Sequence, residues 1–318
     1  MPDDLRSRLL DLPPAQRAAL ARRLLARRDA AAPPPVTPEV TADFRLDTTM
    51  SADERVVKDG YRRFYDSVSA QLDGNVFGDF SYFLNYGYAA NGAPEQAAVA
   101  LPDHYVNRNS VKLVLEVIGD CPVDGRHVLD VGCGRGGTAH VFKTFFHPAS
   151  VTGLDLSPVA VGFCTRAHGD ATTRFVEGDS EHMPFAAGAF DIVTNVESSH
   201  SYPNIARFYG EVMRLLRPGG HFLYTDALSL QQWETSRGLL ANLGFGVERD
   251  VDITPNVLLS CDEVATARVG AFDARSDQGL MNNFLATPGS DVYRDLQSGR
   301  WNYRLLRLGK PAGGGPAP

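Results

Sequence analysis

This chain contains few cysteines and no long hydrophobic run. The four cysteines, Cys121, Cys133, Cys164 and Cys261, form neither a CxxC pair nor a short disulfide framework. No apolar stretch is long enough to cross a bilayer, and the chain does not open on a secretory signal. These absences predict a reduced, cytoplasmic protein with no membrane span.

The sequence also has too few basic residues for a typical nucleic-acid-binding protein and no motif typical of a metal site. The 318 residues include 31 Lys and Arg against 38 Asp and Glu, a formal net charge of −7. An acidic balance argues against nucleic acid as a bulk partner. The histidines are scattered, with no HxxxH or HxH motif, so the sequence predicts no metal site. The 43% of hydrophobic residues is enough for a large core.

Composition and periodicity divide the chain into segments. We predict a helical N-terminal segment at 1–31, a proline-rich linker at 32–50, a helical cap or lid at 51–104, a core at 105–310 with a helical insert at 256–298, and a disordered tail at 311–318. The N-terminal segment either packs on its own domain or docks to a partner.

A glycine-rich turn is the centre of the predicted core. Val128–Val131 is a short apolar run that ends at glycines, as a buried parallel strand does. Thr138–Phe146 predicts the helix that follows, so the turn lies at the positive end of a helix. Four glycines let the backbone turn sharply and approach a ligand closely: Gly132, Gly134, Gly136 and Gly137. The pattern is typical of a cofactor-binding turn between a strand and a helix.

The acid before this turn helps to distinguish between cofactors. The glycine spacing also satisfies the dinucleotide fingerprint, so a nicotinamide oxidoreductase is one alternative. Asp130, two residues before the first glycine, would repel a pyrophosphate. It would instead suit a cationic amino group, as in the methionine part of S-adenosylmethionine. A capping role for Asp130 is the other interpretation.

Further strands alternate with helices and place acids at their ends. The predicted strands are Ser150–Asp155, Thr173–Asp179, Phe190–Asn195 and His221–Asp226, the last preceded by a turn at Leu215–Gly220. This alternation predicts a doubly wound, Rossmann-like α/β sheet that binds ligands at the carboxyl ends of its strands. We expect Asp155 and the adjacent Leu156 to lie at the ribose, and Asp179 and Ser180 to lie at the adenine.

Two regions before the core are rich in aromatic side chains. Residues 51–72 predict an amphipathic helix with one apolar face: Val57, Tyr61, Phe64, Tyr65, Val68 and Leu72. The run Phe80–Tyr88 carries too many rings for an ordinary exposed loop. It is either a plug under the cap or a lid whose Tyr82, Asn85 and Tyr86 close over cofactor and substrate.

A histidine follows the fourth strand, in the segment Asn195–Pro203. His200 has the side chain best suited to take up a proton near neutrality, and Asp226 after the fifth strand can orient and stabilise its cationic form. Structural roles, a helix terminus for His200 and a loop cap for Asp226, are the alternatives. Asn195 and Glu197 of the same segment are further candidate cofactor contacts. In and near the insert, Trp233, Phe284 and Tyr293 are candidate pocket rings.

Together these motifs resemble the class I S-adenosylmethionine-dependent methyltransferases. The resemblance covers residues 105–230 and rests on the glycine turn, Asp155, Gly178-Asp179, Phe190–Val193 and Leu216–Gly220 in that order. It implies S-adenosylmethionine as cofactor and a seven-stranded sheet whose last strand is antiparallel. The sixth and seventh strands would then be Phe245–Ile253 and Trp301–Leu308.

The segment around His200 resembles that of natural-product O-methyltransferases acting on sugars, polyketides and phthiotriolone-type lipids. That resemblance implies acid/base roles for His200 and Asp226, while Ser201 stands where a second histidine is often found. The aromatic run shares the Asn85–Tyr88 sequence with the lipid and polyketide enzymes. Leu12–Leu20 resembles helical linkers of nonribosomal peptide and polyketide synthases, which implies docking to an assembly line through residues 1–31.

The sequence therefore predicts an O-methyltransferase of a largely apolar, hydroxylated secondary metabolite such as a polyketide or polyketide–peptide hybrid. The acceptor would arrive free or on a carrier protein, and a homodimer is left open. Methylation of carbon or nitrogen, and a catalytically silent cofactor-binding domain, are the alternatives.

Overall fold

The computed structural model describes residues 38–39, 51–73, 81–92, 97, 99–269 and 278–312. The helical segment, docking site and most of the linker predicted for residues 1–50 lie outside the described residues, as does most of the predicted tail. We number the elements of the described residues in chain order.

The helices are α1 (Ala52–Asp73), α2 (Arg108–Ile118), α3 (Gly137–Phe145), α4 (Pro158–His168), α5 (Ile205–Leu215), α6 (Leu230–Asn242), α7 (Thr254–Val269), α8 (Gln278–Phe284) and α9 (Asp291–Gln297). The strands are β1 (His127–Val131), β2 (Ser150–Asp155), β3 (Thr173–Glu177), β4 (Phe190–Val196), β5 (Leu216–Ser229), β6 (Gly246–Asp252) and β7 (Trp301–Gly309). A short 3₁₀ turn spans Ser199–Ser201.

A seven-stranded sheet organises the chain, with strand order β3-β2-β1-β4-β5-β7-β6. Strands β1 to β5 pair in parallel, and β7 is antiparallel to both of its neighbours. The order reverses between β1 and β4, which places a ligand crevice at the carboxyl ends of the central strands. The predicted Rossmann-like sheet with an antiparallel last strand is confirmed.

The sheet is buried on both faces because its central strands are apolar on both. Val128 and Ile192 belong to one hydrophobic cluster, while Leu129 and Val193, the next residue in each strand, belong to the other. Successive strand residues point to opposite faces, so a continuous apolar run supplies both cores. Burying each such side chain contributes roughly 1.5–3 kcal/mol. The cores hold the strand ends, and hence the loops that follow them, in fixed positions.

Strand β5 begins earlier than its sequence indicates. Leu215–Gly220 was expected to form a turn before the strand, but Leu216 already pairs with Phe190 and His221 pairs with Ile192. The four intervening residues form an irregularity within the strand. The Pro-Gly-Gly sequence was misleading because proline and glycine occur both in turns and where the hydrogen bonding between two strands is interrupted.

Helix α1 covers the carboxyl ends of the strands and packs against α4. The predicted helix is confirmed, but its predicted apolar face is only partly buried. Val68 is 1% exposed, whereas Val57 is 42% and Tyr61 37% exposed. Lys58, a charged residue, is only 4% exposed. The N-terminal half of the helix thus turns a charged side chain, rather than its apolar face, toward the core.

Candidate active site

A cavity of about 1260 Å³, partly open to solvent, lies under α1 at the carboxyl ends of β1 to β4. Most of the predicted site residues line it: Tyr82, Asn85, Tyr86, Gly132, Gly134, Asp155, Leu156, Asp179, Ser180, Glu197 and His200. Four predicted site residues stand behind this wall: Asp130, Gly136, Asn195 and Asp226. The structure therefore brings the dispersed sequence motifs to one place.

The glycine turn has the geometry that its composition requires. Gly132, Gly134 and Gly136 have φ angles of 67°, 51° and 80°, in the left-handed region that favours glycine. A Cβ atom on Gly132 would lie 2.3 Å from Ser198 Oγ, so no larger residue fits there. The turn consequently presents bare backbone to the cavity and packs tightly on the segment that follows β4.

Asp155 holds this turn in place. Its Oδ2 accepts a hydrogen bond from the Gly134 N–H at 2.8 Å, and its Oδ1 accepts one from the Ser157 N–H at 2.9 Å. Burial raises the pKa of Asp155, although these backbone donors act in the opposite direction. The carboxylate lines the cavity, and its contact with a ribose stays a prediction.

Asp179 is bound by a residue that the sequence analysis did not single out. Lys58 Nζ lies 2.6 Å from Asp179 Oδ2 and 2.7 Å from Glu181 Oε2, and all three side chains are at most 5% exposed. The second oxygen of Asp179 accepts a hydrogen bond from the Glu181 N–H at 2.9 Å. An adenine amino group at Asp179 would therefore share the carboxylate with Lys58.

Asp130 lies beneath the turn rather than in the cavity wall. It is 1% exposed, and its Oδ1 accepts a hydrogen bond from Thr194 Oγ1 at 2.8 Å. Burial raises the pKa of Asp130 to about 7, and the charge of Asp155 acts in the same direction. Its predicted contact with a cationic amino group stays a prediction.

His200 and Asp226 form a pair at the ends of β4 and β5. His200 Nδ1 lies 2.8 Å from Asp226 Oδ1, and Asp226 Oδ2 accepts hydrogen bonds from the His200 N–H at 3.0 Å and from Ser199 Oγ at 2.6 Å. The Asp226 side chain is fully buried, whereas that of His200 is 35% exposed and lines the cavity. Because Asp226 engages Nδ1, Nε2 is the ring nitrogen left for a bound molecule.

The environment of His200 also favours its cationic form. Burial lowers the pKa of His200, but the charge and the hydrogen bond of Asp226, with the charge of Glu197, together raise it above 6.5. The pair can thus accept a proton and stabilise the resulting imidazolium, as a general base requires.

Asn195 supports the segment that carries His200 instead of lining the cavity. Its Nδ2 lies within hydrogen-bond distance of three oxygens: Val131 O at 3.0 Å, Ser198 Oγ at 2.7 Å and Tyr202 OH at 3.1 Å. Ser198 and Tyr202 do line the cavity, and the sequence analysis missed both. Their position in the same Asn195–Pro203 segment was the available signal.

Glu197 joins the aromatic segment to the sheet. Its Oε1 accepts hydrogen bonds from the Tyr86 N–H at 2.7 Å and from the Tyr303 hydroxyl, and its backbone has a φ of 51°. Residues 82–86 consequently form one wall of the cavity. Tyr303 lies on β7 and was not anticipated, because it is 106 residues from Glu197 in the chain.

One of the three candidate pocket rings is confirmed, and two are wrong. Phe284 lines the cavity and packs edge-to-face on Tyr65, with ring centroids 6.1 Å apart. Trp233 is 1% exposed in the core and donates from Nε1 to Asn302 O at 2.9 Å. Tyr293 donates its hydroxyl to Asp262, outside the cavity wall. A ring in a sequence does not show which side of its helix faces the sheet.

The wall fits the chemistry of S-adenosylmethionine. Glycines at 132 and 134 allow close approach of a ligand, and the carboxylates of Asp155, Asp179 and Glu197 line the cavity, where their negative charge suits a cofactor with a positive sulfonium. Among the described residues, no group of three or more His, Cys, Asp or Glu side chains is arranged to hold a metal ion. No helix in the described part of the chain is long and apolar enough to span a bilayer.

Comparisons with known proteins agree with this geometry. Residues 129–224 match the model of a methyltransferase domain. The chain is 35% identical to the fatty-acid O-methyltransferase of Mycolicibacterium smegmatis over 72% of its length and 84% of that protein's. It is 40% identical to the phthiotriol/phenolphthiotriol dimycocerosates methyltransferase of Mycobacterium tuberculosis, over 70% of this chain and 83% of the other.

Solved structures show the same fold at lower sequence identity. The geranyl diphosphate C-methyltransferase of Streptomyces coelicolor superposes with a TM-score of 0.58 at 18% identity, covering 80% of this chain and 98% of that one. Together with the glycine turn and the strand-end acids, these similarities assign the cofactor. The chain belongs to the class I S-adenosylmethionine-dependent methyltransferases.

Proposed function

We propose that this enzyme methylates a hydroxyl group of a largely apolar metabolite and that His200 is the general base. The observation that carries the proposal is the His200–Asp226 pair, with Nδ1 and Oδ1 2.8 Å apart and the imidazole in the cavity wall. S-adenosylmethionine, when bound, supplies an electrophilic methyl group. An attacking hydroxyl must lose its proton as the new bond forms, and we infer that His200 receives it.

The side chains around His200 support an apolar acceptor. Tyr65 lies beside Ser201, and Phe284 packs on Tyr65. Val196, Tyr86 and these two rings belong to the same cavity wall. Such a surface binds carbon chains or rings by burying apolar area, and it suits a polyketide or a lipid better than a highly charged molecule.

The presence of a base in the site favours a hydroxyl acceptor over a carboxyl acceptor. The relative from Mycolicibacterium smegmatis is named for fatty acids, whose carboxylate is already ionised near neutrality. Such an acceptor needs no base, whereas an alcohol does. The buried carboxylate that stabilises imidazolium at His200 therefore favours the alcohol, as does the relative named for phthiotriol.

Turnover of paired acceptors tests this proposal. The purified enzyme would be given S-adenosylmethionine with a long-chain hydroxy ketone or with the fatty acid of matching length. We expect mass spectrometry to find methyl ether as the main product. Methyl ester as the main product would contradict the proposal, and a new carbon–carbon bond would indicate C-methylation.

The variant His200→Gln tests the base itself. Glutamine keeps a polar side chain of similar reach but accepts no proton near neutrality, so kcat should fall about 10²–10⁴-fold. The dissociation constant of S-adenosylmethionine, measured by calorimetry, should stay within about twofold. Turnover at the wild-type rate would rule out His200 as the base.

A further inference from the structure

The hydroxyl of Ser201, in the cavity wall, has no hydrogen-bond partner among the residues that the structure describes. Ser201 follows His200 directly, is 8% exposed and lines the cavity, and its Oγ atom is buried. Most buried polar side-chain groups are hydrogen-bonded, because leaving one without a partner is unfavourable. A hydroxyl that finds none in the described protein and lines a ligand cavity points to a partner that enters that cavity.

A second hydroxyl lies beside it. The Tyr65 hydroxyl neighbours Ser201, although the two side chains do not meet the geometry of a hydrogen bond. Tyr65 also lines the cavity, and its ring packs edge-to-face on Phe64 and Phe284, with centroids 5.3 Å and 6.1 Å away. Burial raises the pKa of Tyr65, so its hydroxyl keeps the proton and is available as a hydrogen-bond donor.

The two hydroxyls lie near both the acid of the glycine turn and the His200–Asp226 pair. The charges of Asp155 and Asp226 both act on Tyr65, and Ser201 shares a 3₁₀ turn with His200. A ligand atom bound there would therefore be close to the reacting group of the acceptor. Because carboxylates already surround this place, a neutral oxygen suits it better than an ionised carboxyl does.

We propose that Ser201 and Tyr65 form a subsite for a second oxygen of the acceptor, a neutral hydroxyl or carbonyl close to the hydroxyl that is methylated. The inference rests on the proposed O-methylation and narrows its acceptor to a hydroxy ketone or a diol. Ser201 can donate to that oxygen or accept from it, and Tyr65 can donate to it. A site that hydrogen-bonds a substrate oxygen discriminates against an analogue that lacks it, since its own buried groups then stay unpaired.

Paired acceptors test the subsite in the unmodified enzyme. A long-chain β-hydroxy ketone would be compared with the secondary alcohol of the same length, and the methyl ethers would be measured by mass spectrometry. We expect kcat/KM to be at least about tenfold higher for the hydroxy ketone. Equal values would overturn the inference and leave the proposed O-methylation standing. Methyl ether from neither acceptor would overturn both.

The variants Ser201→Ala and Tyr65→Phe each remove one hydroxyl and keep the rest of the side chain. In each, KM for the hydroxy ketone should rise about three- to tenfold and the preference should shrink, because the lost hydrogen bond serves ground state and transition state alike. The dissociation constant of S-adenosylmethionine, by calorimetry, should stay within about twofold. An unchanged preference in either variant would overturn the inference. Weaker cofactor binding with the preference intact would do the same and would assign the hydroxyls to the cofactor.

Ser236→Ala is the matched control. Ser236 is also buried, at 2% exposed, but its Oγ accepts a hydrogen bond from the Tyr209 hydroxyl at 3.0 Å, outside the cavity wall. Its preference for the hydroxy ketone should stay within about twofold of the wild type, whereas an equal loss in both serine variants would overturn the inference. Ser201→Thr retains a hydroxyl and should keep more of the preference than Ser201→Ala does. A threonine variant no better than alanine would contradict the role of the hydroxyl.

Discussion

At the scale of single residues, the His200–Asp226 pair sets the expected pH dependence. General-base catalysis needs neutral imidazole, and Asp226 raises the pKa of His200 above 6.5. We expect kcat/KM to fall as the pH drops through that raised value. In Asp226→Asn the maximal rate should be lower and the acid limb should move to lower pH. A limb at the same pH in both proteins would show that a different group titrates.

The same pair affects stability in the opposite direction from activity as the pH changes. A histidine whose pKa is raised by folding contributes stability that is complete below about pH 6.5, its unfolded value, and is lost as the pH rises through the folded value. The proposed catalysis by His200 would therefore require the protonation state in which its ion pair with Asp226 stabilises the fold least.

Asp130 gives a separate prediction about stability. Its pKa is about 7 in the fold against 3.8 unfolded, so its contribution is present below pH 3.8 and is lost as the pH rises through 7. The loss is on the order of 4 kcal/mol when complete. Asp130→Asn should flatten the decline in unfolding free energy between pH 5 and about 8, measured by urea denaturation. An unchanged slope would show that Asp130 does not titrate there.

Asparagine at this position also tests the predicted charge effect on the cofactor. The amide can still accept the hydrogen bond of Thr194 but carries no charge. If the charge of Asp130 attracts the amino group that S-adenosylmethionine and its demethylated product both carry, Asp130→Asn should bind both ligands more weakly, by similar factors. Unchanged affinity for both ligands would argue for a structural role.

At the scale of elements, the glycine turn depends on its close contact with the segment after β4. Gly132→Ala would pay about 1–2 kcal/mol for the left-handed backbone and would also push Ser198 and Tyr202 out of position. Gly188→Ala is the matched control, because Gly188 has a φ of 65° but open space around its Cβ position. We expect both variants to lose stability in thermal melts and only Gly132→Ala to lose cofactor affinity. Similar affinity in both would contradict this account of the turn.

The aromatic segment and α1 together enclose the cavity, and residues distant in the chain hold the aromatic segment in place. Tyr86 is tied to β4 through Glu197, while Arg135 joins the glycine turn to the Ser81 carbonyl at 2.8 Å and stacks on Phe163. Arg135 is 1% exposed and Glu197 is half-buried, and the partners of both charged groups come from distant parts of the chain. The wall is therefore rigid where it meets the sheet.

At the scale of the whole molecule, the described cavity is built from residues between Lys58 and Phe284. Docking of residues 1–31 to an assembly line stays a prediction, and a shortened chain tests whether those residues are also needed for chemistry. A chain lacking residues 1–31 should bind S-adenosylmethionine within about twofold of the full chain and turn over a free acceptor at a similar rate. Its rate on an acceptor attached to a carrier protein should fall if those residues dock. Loss of cofactor binding would instead show that they complete the site.

The sheet, the glycine turn and several strand-end residues of the cavity wall could be predicted from the sequence alone, but most of that wall could not. Apolar runs fix buried strands, glycines mark the backbone that must bend, and the acids after β2 and β3 must meet because carboxyl ends of parallel strands share one edge. Asp226 was placed beside His200 by the same reasoning. Each of these inferences concerns residues whose role follows from their position in a strand or in the loop after it.

Which polar residues are buried became clear only from the packing of the whole chain. The charged stripe of α1 has the composition of a solvated helix face, yet Lys58 bonds to a carboxylate 121 residues away. Local spacing also did not show that Tyr303 contacts Glu197, or that Trp233 packs in the core rather than in the cavity wall. Burial of a charge depends on a partner that local spacing does not encode, because packing of the whole sheet brings the two together.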